Sequence, residues 1–176
     1  FMKKIERGEK RCPVALVMGN DPIGWFISSS VVSKSGADEL AIAGGFRNKA
    51  VDVVKCETND MLIPANAELV IEGEVLLDQM QPEGPFGEFT GYSLGERERE
   101  VVQVKAITHR RGAYFQDITV AHLDHMLLST IPMEANLYRA VRAMVPSVKA
   151  VRVPAPFTCY VSLEQRLIGQ AKNAIL

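Results

Sequence analysis

Apolar and polar residues alternate along the middle of the chain, which is the pattern of β-strands with one buried face. The clearest example is ELVIEGEVL at residues 68–76, and an apolar run before Gly19 also indicates a strand. Two stretches on either side of Arg111 and Gly112 are predicted to pair as a hairpin. The other strands predicted from β-branched and alternating residues lie at 51–57, 100–110, 113–120, 148–153 and 158–164.

Helices are predicted on both sides of this strand-rich region. Asp21 followed by proline is a helix-start signal, and residues 37–47 form a further helix that begins near Asp38. From Asp124 onwards apolar residues recur every three or four positions, with a predicted break at Pro132. Strands in the middle and helices at the flanks indicate an α+β domain built round an antiparallel sheet or barrel.

Composition limits the classes of function. The 176 residues are 47% hydrophobic and 23% charged, which is enough for one core and makes a single domain over residues 1–176 the default. The net charge of −1 comes from 20 basic and 21 acidic residues, so the chain offers no basic stripe for nucleic acid. No apolar run reaches the ~20 residues that cross a bilayer, and the first residues lack the apolar stretch of a secretion signal. A cytoplasmic location is expected.

The three cysteines, Cys12, Cys56 and Cys159, are odd in number and lie far apart, without a C-x-x-C pair. This pattern disfavours disulfides and zinc, and we expect buried or half-buried free thiols.

Both ends of the sequence have the pattern of interrupted helices. The last residues begin a helix after Gly169 and stop on an apolar residue, and the first residues resemble the tail of a helix. We therefore expect a fragment of a larger protein.

The stretch QPEGPFGEFTGY, residues 81–92, holds two glutamates, Glu83 and Glu88, in a frame of glycines and prolines. Burial beside apolar walls such as Phe86 and Phe89 would favour the protonated form of a carboxyl group, and a neighbouring guanidinium would favour the charged form. Two carboxyl groups in such different environments suit proton transfer. A hairpin loop with two solvated glutamates is the alternative.

The same stretch resembles the signature of the UbiD family of decarboxylases, which use prenylated FMN to add or remove carbon dioxide on aromatic and α,β-unsaturated acids. Three other motifs agree in the same order, at residues 39–47, 53–60 and 169–174, and so does a motif that ends at Gly73. The resemblance covers nearly the whole chain but only the middle portion of a typical member. It implies a flavin-binding, antiparallel split β-barrel of the flavin-reductase type with flanking helices.

The resemblance assigns roles to three glutamates. Glu88 matches the family's catalytic acid/base, which delivers a proton to the carbon that loses carbon dioxide. Glu83 matches its companion in a network with an arginine. Glu39 matches a ligand of a divalent metal, usually manganese and in some cases with potassium, beside the flavin phosphate. On sequence alone, without the resemblance, Glu39 is better explained as a first-turn glutamate favoured by the helix dipole.

Three consecutive serines, Ser28, Ser29 and Ser30, fall where the family's chain passes the cofactor, and Ser30 is the candidate cofactor contact. Such a run also commonly ends a helix.

Some of the family's functional residues have no counterpart in this sequence. Its other metal ligands, an asparagine and a histidine, and the arginine of the carboxylate network belong upstream of Phe1. That segment is either removed or supplied by another polypeptide.

The first hypothesis for the function is the flavin-binding portion of a decarboxylase that takes a small carboxylic acid and assembles as a homo-oligomer. The second is a structural or assembly module without turnover, and a plain flavin reductase, which gives Glu83 and Glu88 no role, ranks last.

The remaining histidines have weaker signals. His122 and His125 lie three residues apart, but no third metal ligand is near them in the sequence. We expect Asp124 to cap the following helix and His125 to pack.

The charged residues of GERERE, residues 95–100, are expected to form a solvated rim, in which Arg97 and Arg99 have no evident anionic ligand. Arg47 and Lys55 are expected either to face a site or to form salt bridges.

Overall fold

A three-stranded antiparallel sheet forms the middle of the fold in the computed structural model, which describes residues 2–28 and 38–175. Its order is β1 (Arg11–Met18), β4 (Leu69–Glu83) and β7 (Arg97–His109). The predicted alternation at 68–76 therefore belongs to the central strand, whose Val70 and Leu76 are buried. β4 pairs with β7 along almost its whole length, from Leu69 opposite His109 to Glu83 opposite Arg97.

Three two-stranded sheets and five helices complete the described part of the chain. The strand pairs are β2 (Val53–Lys55) with β3 (Leu62–Pro64), β5 (Phe86–Gly87) with β6 (Ser93–Leu94), and β8 (Val148–Ala155) with β9 (Thr158–Leu163). The helices are α1 (Met2–Glu6), α2 (Pro22–Ser28), α3 (Glu39–Arg47), α4 (Leu123–Met144) and α5 (Gln170–Asn173). The α+β prediction is confirmed. Within the described ranges no sheet closes into a barrel.

Two clusters of buried side chains form the core. One joins Cys56, Ile63 and Val70 where β3 meets the main sheet. The other packs the end of α4 on β8 through Val141 and Val148. Over the described residues, no helix combines the length and the apolar character that a membrane crossing requires.

The predicted hairpin after His109 is wrong. Residues 113–119 form no strand, and β7 pairs with β4 instead. Glu68 holds the chain beyond β7, because its carbonyl accepts from the Arg110 amide at 2.9 Å and its carboxylate accepts from the Tyr114 amide at 3.1 Å. Local alternation could not reveal this partner, since the pairing joins residues far apart in sequence.

Two predictions about α4 are also wrong. The helix runs unbroken through Pro132, and its N-cap is His122 and not Asp124. A proline removes one backbone hydrogen bond from a helix, and here the second half of α4 is held by its packing on β8.

The cysteine prediction holds in part. All three thiols are free, with Cys56 buried and Cys12 half-buried, but Cys159 is exposed on β9, a strand of a two-stranded sheet. Burial raises the pKa of the Cys56 thiol, and the nearby Glu72 carboxylate adds to the effect.

Candidate active site

Glu39 begins α3 at the wall of a cavity. Asp38, predicted to lie near the start of the helix, is its N-cap, and its Oδ1 accepts from the amides of Leu40 at 2.9 Å and Ala41 at 3.4 Å. The cap leaves Glu39 in the first turn, where the partial positive charge of the helix end favours a carboxylate. The exposed Glu39 side chain is one of the polar groups that line the cavity.

The cavity has a volume of about 690 Å³ and lies between α2, α3 and the first turns of α4. This volume is in the range of small-molecule and cofactor sites. Its apolar wall includes Trp25, Ile27 and Leu40, and its polar lining includes Asn20 and His125. A largely apolar wall with a few polar groups suits a flat ligand with polar substituents.

Side-chain contacts hold α2 and α3 together beside the cavity. Asp21 caps α2 by accepting from the Ile23 amide at 2.9 Å, and it also forms an ion pair with Arg47 at 3.5 Å. Phe26 and Phe46 meet edge to face, with ring centroids 5.8 Å apart. Arg47 therefore forms a salt bridge with Asp21 that links the end of α3 to the start of α2.

Asn20 is fixed at the cavity wall by its surroundings. Its Oδ1 accepts from the Asp21 amide at 2.8 Å, which leaves the amide Nδ2 as a hydrogen-bond donor. Nδ2 lies over Gly24, where an added Cβ would be only 2.4 Å from it. Because Gly24 has no side chain, the Asn20 amide can lie at this position on the cavity wall.

Replacing Gly24 by alanine is expected to weaken about tenfold the binding of the flavin that the family resemblance implies for this cavity, without loss of stability. The new methyl group displaces the Asn20 amide, whereas alanine favours the helix by up to about 1 kcal/mol relative to glycine. Flavin titration and urea unfolding of the natural protein that carries this sequence measure the two effects. Gly45→Ala is the matched control, because the same methyl group on α3 meets open space. Equal flavin affinity in both variants would contradict the role of Asn20.

His125 connects the cavity to the glutamate-bearing hairpin. Its Nδ1 accepts from the Ala121 amide at 3.3 Å, so a neutral ring carries its proton on Nε2. The Phe89 ring packs against it, with centroids 6.2 Å apart. The prediction that His125 packs is confirmed, and the same ring lines the cavity.

Glu88 lies at the turn of the short β5–β6 hairpin. The turn is closed by two backbone hydrogen bonds of 2.9 Å, from the Glu88 amide to the Tyr92 carbonyl and from the Gly91 amide to the Glu88 carbonyl. Gly87 allows close approach to Val120, since an added Cβ would be 3.0 Å from the valine methyl. The turn therefore rests on the segment that leads into α4. Glu88 is half-buried, and within the described part of the chain its carboxylate has no hydrogen-bond or ion-pair partner.

Glu83 lies at the end of β4, in a different environment. Its side chain is 57% exposed, and its Oε2 is 3.9 Å from Nε of Arg99 on β7. Arg99 was expected on a solvated rim and its side chain is 52% exposed, while its contact with Glu83 follows from the β4–β7 pairing, which the local charge pattern did not indicate. No hydrogen bond joins Glu83 to Glu88 in the described ranges, and neither residue lines the cavity.

The remaining candidate residues are the serines from Ser28 onwards, Lys55 and the possible metal ligands. Ser30 lies outside the described residues, and Ser28 lines the cavity while its hydroxyl donates to the Trp25 carbonyl at 2.9 Å. Lys55 forms an ion pair with Asp60. No three His, Cys, Asp or Glu side chains come together as a metal site in residues 2–28 and 38–175, so Glu39 supplies one ligand at most.

A family model described as "UbiD: 3-octaprenyl-4-hydroxybenzoate carboxy-lyase Rift-related domain" matches residues 1–123. The chain belongs to the UbiD family. The anhydromevalonate phosphate decarboxylase of Methanosarcina mazei is 33% identical over 99% of the chain and 41% of its own length. The phenolic acid decarboxylase of Sedimentibacter hydroxybenzoicus is 30% identical over 85% of the chain and 32% of its own length.

Solved structures of the UbiD class agree with this relationship. An evolved dimeric form of the enzyme HmfF from Pelotomaculum thermopropionicum, in complex with prFMN, is 38% identical with a TM-score of 0.92. The match covers 99% of this chain and 42% of that one. The chain thus spans about a third to two fifths of the length of these relatives.

Three residues of the cavity wall were not predicted as site residues, namely Asn20, Trp25 and Ser129. One signal for Asn20 was available. It stands between the end of β1 and the Asp21 cap of α2, and such short strand-to-helix connections often carry binding residues. No local signal marks Trp25 or Ser129, since they meet only when α2 packs on α4.

Proposed function

We propose that this UbiD-family chain is the flavin-binding portion of an enzyme that reversibly decarboxylates an aromatic or α,β-unsaturated carboxylic acid without oxidation. The supporting observation is the anchoring of the Glu88 turn on His125, a residue of the cavity wall that also includes Glu39. The turn, the cavity and the family motifs thus belong to one region of the fold. Both named relatives are decarboxylases.

Glu88 is the proton donor and acceptor of this proposal. It delivers a proton to the carbon that has lost carbon dioxide and removes that proton in the reverse direction. Its carboxyl group is half-buried and has no ion-pair partner in the described part of the chain, so it is free to contact a substrate. Glu83 differs in being 57% exposed and in having the Arg99 guanidinium 3.9 Å from its carboxylate. The two glutamates therefore have different environments, as the proton-transfer interpretation of the loop requires.

The proposed cofactor is prenylated FMN, which when bound supplies the electron sink for loss of carbon dioxide. The 690 Å³ cavity with Trp25 on its apolar wall is compatible with a flavin ring, and the Asn20 amide and the His125 ring can donate hydrogen bonds to it. Ser30 is proposed as a further contact. Glu39 would hold Mn²⁺, with potassium as a second cation, against the flavin phosphate, and the other metal ligands must come from elsewhere.

We propose further that the main sheet is part of a split barrel, and that residues 1–176 act as one domain. Alone, the 176-residue chain would then be inactive. A structural or assembly module remains the second candidate, favoured by the single metal ligand that the described residues provide. Homo-oligomer formation belongs to the same proposal.

The test is turnover by the natural protein that carries this sequence. Loaded with prenylated FMN and Mn²⁺, it is expected to release carbon dioxide from at least one member of a panel of cinnamic, phenolic and furoic acids. In deuterated water it should place deuterium on the carbon that lost carbon dioxide. Flavin binding without carbon dioxide release or deuterium exchange across the panel would favour the module instead. The isolated 176-residue chain is expected to show no turnover.

A further inference from the structure

The chain enters α4 through a tight turn formed by residues 119–122. The His122 amide donates to the Thr119 carbonyl at 3.1 Å and closes the turn. Ala121 has a φ of 58°, whereas the φ of Val120 is not positive. A positive φ at the third residue alone characterises a type II turn, where glycine or asparagine is usual. Alanine adopts this left-handed conformation only at an energetic cost, and such strain is often found at functional sites.

The conformation of Ala121 sets the direction of its own amide. Type I and type II turns differ mainly by a flip of the central peptide plane, which here joins Val120 to Ala121. In the observed type II orientation the Ala121 nitrogen donates to Nδ1 of His125 at 3.3 Å. A flip to type I exchanges the two polar groups of this peptide. The Val120 carbonyl would then take the place of the Ala121 N–H.

The group that faces Nδ1 decides which nitrogen of His125 carries the proton. His125 is the third residue of α4, a position from which a side chain can reach back to the amides before the helix. An N–H there requires a lone pair on Nδ1 and leaves the proton on Nε2, whereas a carbonyl would require the proton on Nδ1. In the described part of the chain Nε2 has no hydrogen-bond partner, and the ring lines the cavity. Nε2 is therefore a donor in the observed turn and would be an acceptor in the flipped turn.

The β5–β6 hairpin, which carries Glu88, supports this turn from one side. The Val120 side chain lies over Gly87, where an added Cβ would be 3.0 Å from a valine methyl group. An added Cβ on Gly91 would be 3.9 Å from the Cβ of Ala121. The strained turn is thus held between the hairpin and the start of α4, which is how such conformations persist.

We propose that Ala121 is a positioning residue. Its left-handed backbone turns the Val120–Ala121 peptide so that the N–H faces His125, which fixes this histidine as a hydrogen-bond donor to the cavity. The ligand group that suits it is one with a lone pair, such as a flavin carbonyl oxygen. The flavin in this inference rests on the proposed function, whereas the tautomer rests on the turn and its hydrogen bond.

The tautomer can be measured in the natural protein without any ligand. Solid-state nitrogen NMR of protein labelled at the histidine ring nitrogens, at alkaline pH, shows which nitrogen carries the proton, and the spectrum of His125→Gln assigns the signals. The parent is expected to have the proton on Nε2. Ala121→Asn and Ala121→Gly should keep it there, because both residues accept a positive φ. Ala121→Val should move it to Nδ1, because a β-branched residue strongly disfavours this angle and favours the flipped turn.

Affinity for FMN, measured by fluorescence titration, is the second readout. Ala121→Val is expected to bind FMN roughly tenfold more weakly, since Nε2 no longer donates, whereas Ala121→Asn should bind it as the parent does. Phe157→Val is the matched control. Phe157 has a φ of 62° in the turn between β8 and β9, so the same substitution adds similar strain away from His125 and should change neither readout.

Three results would overturn the positioning role: a proton on Nδ1 in the parent, an unchanged tautomer in Ala121→Val, or a changed one in Ala121→Asn. The parent spectrum and the asparagine variant decide the matter even where Ala121→Val does not fold. A reversed tautomer with unchanged FMN affinity would overturn the flavin as the group that Nε2 contacts. A parent with the proton on Nε2 that binds no FMN would sink the proposed function and leave the role of Ala121 standing.

Discussion

Replacing Glu88 by glutamine is expected to lower kcat for decarboxylation roughly 10²-fold to 10⁴-fold in the natural protein, with flavin affinity changed less than about twofold. Glutamine keeps the shape of the side chain but has no proton to give at the working pH. The hairpin turn should survive, because its two hydrogen bonds are made by the backbone of Glu88, Tyr92 and Gly91. Stopped-flow or steady-state assays of carbon dioxide release, with flavin titration alongside, measure both quantities.

The control for this change is Glu98→Gln, an equivalent substitution on the opposite face of the β4–β7 pair from Glu83. It should leave kcat within about twofold. Deuterium exchange into the product should also stop in Glu88→Gln, because the same group removes the proton in the reverse direction. A Glu88→Gln enzyme that matches its parent in rate would show that another group carries the proton.

Replacing Glu72 by glutamine is expected to reduce the free energy of unfolding by about 2–4 kcal/mol, a large effect for a change of one atom. Glu72 is 1% exposed on the central strand. Its carboxylate accepts from the Glu57 amide at 2.9 Å and from the Thr58 amide and hydroxyl at 2.8 and 2.6 Å. An amide NH₂ in its place sets a donor against donors in a buried site, which leaves some of them unsatisfied.

The pH dependence of stability shows whether the charged form of the Glu72 carboxyl group stabilises the folded state. Burial opposes ionisation of Glu72, but hydrogen bonds from Thr58 and Glu57 outweigh it and lower the pKa of the carboxyl group. A lowered folded pKa means that the contribution is fully present above the unfolded glutamate value of about 4.3 and is lost as the pH falls through the folded value. Between pH 7 and pH 3 the stability of the parent should therefore fall more steeply than that of Glu72→Gln.

Urea unfolding across this pH range measures the effect, with Glu74→Gln as the matched control. Glu74 is two residues further along β4, and the hydrogen bonds and charges of Lys105 and Arg11 lower its pKa at the surface. Since those pairs are solvent-screened, Glu74→Gln should cost much less than Glu72→Gln. Parallel pH profiles for parent and Glu72→Gln would show that the buried carboxylate does not control acid stability.

Local patterns in the sequence predicted much of the fold. Asp38 was expected to begin a helix and is the N-cap of α3, since capping depends only on residues a few positions apart. The strands at 148–153 and 158–164 were predicted from alternation and are present as β8 and β9. The hairpin after His109 failed for the opposite reason. Its stretches have strand-like composition, but the β4 residues that pair with β7 lie from 14 (Glu83 with Arg97) to 40 (Leu69 with His109) positions earlier in the chain.

The candidate site was likewise predicted only in part from the sequence. The loop with Glu83 and Glu88, the glutamate at Glu39 and the family itself could be read from linear motifs, because turn residues and motif spacing are properties of short segments. The tertiary structure alone decided that Glu83 meets Arg99 and that the Glu88 turn rests on His125. Those contacts depend on strand register and helix packing, which are set by the burial of surfaces far apart in the chain.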